Sequence, residues 1–86
     1  MARELPLDEL VRGARVTWEW SGVAAGIAAE RDVRPIGRVV THEDLPTMSK
    51  TIEVGIQTDD DPVWVLDPRQ MTAKGRKIFA AEELDG

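Results

Sequence analysis

The chain has 86 residues, 42% of them hydrophobic and 31% charged, with a formal net charge of −5 and no cysteine. This length fits one domain spanning 1–86 around one modest core, and the composition is that of a globular chain and not a disordered one. Disulfides and thiolate metal sites are excluded, no apolar run reaches the ~18–20 residues of a membrane span, and the acidic balance makes nucleic acid an unfavoured partner.

Residues 1–11 form an N-terminal segment. Pro6 followed by Asp8 and Glu9 suits the first turn of a short helix, with Leu7, Leu10 and Val11 inward, and Gly13 ends it. The barrel portion runs over 12–84. Arg15 to Trp20 alternates, with Val16, Trp18 and Trp20 on one face and Arg15, Thr17 and Glu19 on the other, which predicts a strand. Ser21-Gly22 signals a tight turn. Val23 to Ala29 is alanine-rich and suits helix, but Gly26 and the preceding turn favour a returning strand, and a strand is the expectation.

Residues 31–50 make a long middle connection carrying one further strand, Ile36 to Thr41, which could continue the previous one past a bend at Arg34-Pro35. His42 to Lys50 is polar and reads as a mobile loop. From Thr51 to Gln57, Ile52, Val54 and Ile56 alternate with polar residues or glycine, again a strand. Asp59-Asp60-Asp61-Pro62 is a turn, and Val63 to Leu66, apolar on both faces, reads as a central strand with Trp64 buried. The pair makes an antiparallel hairpin. Arg69 to Ala73 is a turn or helical step, and Arg76 to Ala80 a last strand. Ala81 to Leu84 suits a helical turn, with Leu84 plugging the core. The class is mainly β: a small SH3-like antiparallel barrel with a short N-terminal helical turn.

Two stretches resemble the hypervirulence-associated Tudor-like domain family. One is Gly13-Ala14-Arg15-Val16-Thr17-Trp18, followed by Ser21-Gly22 and Gly26; the other is Thr58 to Leu66. Lys74-Gly75-Arg76 and Leu84 sit where that family has its last turn and closing leucine. The similarity covers about half the chain as motifs. Residues 31–50 are longer than the family's middle, Trp64 stands where tyrosine is usual, Ala14 stands where an acid is frequent, and the family's downstream histidine is absent. The resemblance implies an SH3-like barrel of Tudor-like type acting as an interaction module, with no established activity.

Trp18, Trp20, Trp64 and Phe79 are the aromatic residues. Trp18 reads as core, whereas Trp20 and Trp64 are candidate binding residues, because aromatic cages hold methylated cations by cation–π contacts. Asp59 to Asp61 lack the spaced ligands and closing glutamate of a calcium loop, so no metal is assigned. His42-Glu43-Asp44 has an imidazole beside carboxylates, but Thr47 and Ser49 lack a nucleophile elbow, so no catalytic residue is assigned. Arg15 and Arg38 are the candidate basic contacts in a cluster with Arg31 and Arg34, which Glu19, Glu30 and Asp32 would ordinarily balance. The expectation is a cytoplasmic, non-enzymatic module without cofactor that binds a protein segment through its loops or a sheet edge. A nucleic-acid accessory domain using the Arg-rich half is the alternative, and a small enzyme the third.

Overall fold

The computed structural model describes residues 3–81. Five antiparallel strands form one sheet in the order β4-β3-β2-β1-β5, with β1 at Arg15–Trp18, β2 at Ile36–Val40, β3 at Gly55–Thr58, β4 at Val65–Leu66 and β5 at Ile78–Ala80. β4 and β5 are its two ends and do not pair with each other, so the described sheet is open. Helix α1, Gly22–Arg31, joins β1 to β2, and α2, Pro68–Ala73, joins β4 to β5. Among the described residues no helix is long and apolar enough to cross a membrane.

The alternation in β1 holds: Val16 and Trp18 are buried, and Arg15 and Thr17 lie half-buried on the other face. The strand ends at Trp18, and α1 takes the place of the expected hairpin. Val23 to Ala29 lies within this helix and is no strand, because Ala24, Ala25, Ala28 and Ala29 are the strongest helix formers and no tertiary pairing opposes them. Gly26 faces open space, so it costs only its propensity. Asp32 closes the helix in the left-handed conformation (φ 55°). Its amide bonds to the Ala29 carbonyl and that of Val33 to Ala28, a Schellman arrangement with Val33 and Ala28 both buried. The helix also rules out a strand running on through Arg34-Pro35 into β2.

The N-terminal turn is a short 3-10 helix at Leu7–Glu9 with no buried residue of its own; the flanking Leu5 and Leu10 are buried, whereas Leu7 and Val11, expected inward, are exposed. Leu5 donates its amide to Ile78 and Ala80 donates to Arg3, so this segment covers the outer side of β5. The loop from 41 to 54 is tied down: Met48 is buried, the His42 ring meets the Ile52 carbonyl at 2.8 Å, and Arg12 reaches both Glu43 and Asp44. Only the second half of the 51–57 run joins the sheet, because Thr51 to Val54 turn before β3 begins. Asp67 caps α2 through the Arg69 amide, with Pro68 in the first turn. The expected turn at 81–84, apart from Ala81, lies outside the described residues.

Two glycines permit the sheet to close up. A Cβ on Gly37 would collide with the backbone carbonyl of Gln57 and lie 3.1 Å from Ile56 Cγ2. A Cβ on Gly55 would meet Val65 Cγ1 at 2.6 Å and Met48 Sδ at 2.9 Å. The first obstacle is backbone on the neighbouring strand; the second consists of side-chain ends that can swing aside.

Candidate binding site on the β3–β4 hairpin

The hairpin turn gathers three arginines of the first half of the chain, Arg15, Arg31 and Arg34. Arg15 grips Asp59 with both terminal nitrogens, one bond measuring 2.7 Å. Arg34 holds Asp60 through Nε and Nη2, each at 2.9 Å, and adds its backbone amide at 2.8 Å. Arg31 reaches Asp61 at 3.5 Å. Three successive carboxylates thus meet guanidinium groups from β1, the end of α1 and the connection before β2. The expected balancing acids Glu19, Glu30 and Asp32 do not take these roles. They are exposed on their own elements, whereas the turn folds directly over the guanidinium groups.

These pairs set the acid behaviour. The two-point bond from the Arg34 side chain, then its amide, hold the Asp60 carboxyl down at about 2, against an ordinary value of 3.8. Arg15 lowers Asp59 in the same way, chiefly by hydrogen bonding, with smaller help from the charge of Arg38. A carboxyl depressed in the folded state favours folding above its unfolded value, and that contribution disappears as pH falls through the folded value. Asp60→Asn should therefore unfold at lower urea than the wild type at pH 7. The gap should narrow as pH drops from near 3.8 towards about 2. Urea midpoints of both proteins across that range check the expectation, and a gap independent of pH would contradict it.

Trp64 and Trp20 stack face to face, with centroids 4.8 Å apart and planes 20° from parallel, and Trp18 meets Trp20 edge-on at 5.3 Å. Trp20 also donates its indole N–H to the Val33 carbonyl at 3.1 Å. The guanidinium of Arg31 lies over the Trp64 ring at 5.9 Å. The two candidate cage residues therefore cover one another, and the cation over Trp64 is the protein's own. Arg15 and Arg38 stand opposite each other across β1 and β2, Arg15 engaged by Asp59 and Arg38 exposed.

The expectation of a central strand at 63–66 is corrected by the sheet order. β4 is short and lies at the edge, because nothing pairs beyond it among the described residues. Trp64 is half-buried, and Val63 is 91% exposed. Trp64 accepts from the Thr58 amide, and the register places Val65 opposite Gln57. In an antiparallel ladder residues alternate between facing the partner strand and facing away, so the N–H and C=O of Val65 point outward. Among the described residues they take no turn, loop or side-chain partner.

Beside this edge lies a cleft of about 490 Å³, lined mainly by apolar side chains, Pro62, Val63 and Val65 with Leu45, Met48 and Ile52 of the tied-down loop, and by the hydroxyl residues Thr47 and Ser49. A free backbone pair and an apolar trough therefore run along the same strand. The apolar run itself is visible in the sequence; its position at the edge is not. Comparison with known protein families, with curated proteins and with solved structures gives no match for this chain.

Proposed function

We propose that the protein is a small non-enzymatic binding module that takes up an extended, apolar protein segment along β4. The observation that carries this reading is the outward N–H and C=O of Val65 beside the cleft containing the exposed Val63. An added strand would pair with that backbone, and its alternate side chains would enter the trough, the usual division between affinity and specificity in strand addition. β5 cannot serve in the same way, because residues 3–5 already cover it. The return of β5 to β1 and the short hairpin at the opposite end support an SH3-like barrel of Tudor-like type as the parent architecture.

The nucleic-acid reading is weakened by the same geometry. Arg15, Arg31 and Arg34 are committed to Asp59, Asp61 and Asp60, so the Arg-rich half does not present a free positive face to phosphates.

Selection from a random peptide display library tests the proposal. Enriched peptides should alternate apolar residues, and Val63→Asp should weaken them at least about tenfold, since burying a valine contributes ~1.5–3 kcal/mol. Val63 is exposed in the free protein, so its replacement should leave thermal stability nearly unchanged. Enriched peptides that bind Val63→Asp at full strength would remove β4 from the account.

A further inference from the structure

We infer a second site, a small-anion cleft of about 390 Å³ between the end of β1 and the turn that leads from α2 into β5, suited to an organic phosphate monoester. Its cationic lining is Lys74, Arg76 and Lys77, and its apolar walls are Trp20 and Phe79. Glu19 is the one acid on the lining, so three cations leave it two positive charges. A phosphate monoester carries close to two negative charges near neutral pH, which matches that balance.

The state of these cations differs from that of most arginines elsewhere in the protein. Arg12, Arg15, Arg31, Arg34 and Arg69 are each held by carboxylates. Lys74 and Arg76 have no ion pair among the described residues, and Lys77 is held only loosely by Glu4 at 3.9 Å. In a chain of net charge −5, two uncommitted cations and one loosely held one line the same concavity; Arg38 and Lys50, exposed and without an ion pair among the described residues, are not on its lining. The planar fork of Arg76 and the point charges of the two lysines are the groups that recognise phosphate oxygens.

The apolar walls define the rest of the ligand. Trp20 is fixed by its stacking on Trp64 and by its bond to Val33, and Phe79 by its place in β5, so both present settled surfaces. Ser21 adds a hydroxyl at the same mouth, and it makes no bond back to the helix it precedes. A ring or other compact apolar group bearing one phosphate would fill the cleft, its phosphate among the cations and its body against Trp20 and Phe79. This site is independent of the β4 edge.

Titration of the full chain with phenyl phosphate, followed by amide and indole proton–nitrogen NMR, tests the inference. Saturable shifts are expected at Ser21, Gly75, Arg76 and the Trp20 indole. Arg76→Gln and Lys74→Gln should each weaken binding about tenfold, the usual worth of a charge-assisted hydrogen bond. Inorganic phosphate should shift the same residues at higher concentration, and Lys50→Gln, an exposed cation that does not line the cleft, should bind like the wild type. Lys74 is exposed, so its replacement keeps the test valid if Arg76→Gln fails to fold. Absence of saturable shifts at these residues would overturn the inference. So would equal binding by Lys74→Gln, or equal binding of phenol.

Discussion

Trp18→Ala is expected to lower the stability of this domain by about 3–5 kcal/mol, the usual cost of emptying a large aromatic site. Trp18 is 3% exposed, and its ring packs edge-on against Trp20 beneath the stacked Trp64. Removing it opens a cavity under that stack and loosens β1, which pairs on both sides, with β2 and with β5. A small domain has a total stability of roughly 5–15 kcal/mol, so the variant should be partly unfolded well below the wild-type midpoint. The indole N–H of Trp18 is buried and has no hydrogen-bond partner among the described residues. Such a group costs about 1–3 kcal/mol, a penalty the native protein already carries. Trp18→Phe removes that N–H together with part of the ring, so it should cost much less than Trp18→Ala. Urea denaturation of both variants measures the difference; equal losses would mean that the ring's volume is not what the core requires.

Gly37→Ala should produce the second large effect, about 1–3 kcal/mol or more, although it adds a single methyl group. Gly37 lies in β2 opposite Thr58, and the added carbon would press on the Gln57 carbonyl of β3. That obstacle cannot rotate away, so β2 and β3 must part and their ladder must lengthen. Gly55→Ala provides the comparison, because it meets the ends of Val65 and Met48 instead. The first variant should lose more stability than the second in matched thermal melts. The reverse order would indicate that the loop carrying Met48, and not the β2–β3 spacing, is the rigid part.

Much of the sheet is legible in the sequence because its signals are local. Val16 and Trp18 alternate with polar neighbours, Asp59 to Pro62 is turn chemistry, and Ile56 follows from the same period-2 reading. The run from Val23 to Ala29 is ambiguous, since alanine and glycine there argue in opposite directions and the Ser21-Gly22 pair serves equally as a hairpin turn or a helix start. Val63 to Leu66 misleads for another reason. An apolar run marks a strand but not its neighbours, and only the sheet order shows that β4 has one. The arginine–aspartate pairs belong to the same class of information. Arg15, Arg31 and Arg34 lie far along the chain from Asp59 to Asp61, and nothing in their spacing announces the match. The consecutive aspartates are the available clue, as carboxylates so crowded call for cations nearby.

Amide hydrogen exchange at Val65, read with and without a display-selected peptide, tests the binding proposal most directly. In the free protein this N–H faces solvent at the sheet edge, so it should exchange rapidly despite its place in a strand. A bound strand should slow that exchange strongly while leaving the amides of β5 unchanged. Val65→Pro removes the same donor without touching the ladder to β3, and proline is tolerated at an edge, so this variant should stay folded and lose the peptide. Protection of the Val65 amide together with loss of binding in Val65→Pro is the predicted result. A peptide that binds at full affinity while the Val65 amide exchanges as before would contradict strand addition at β4.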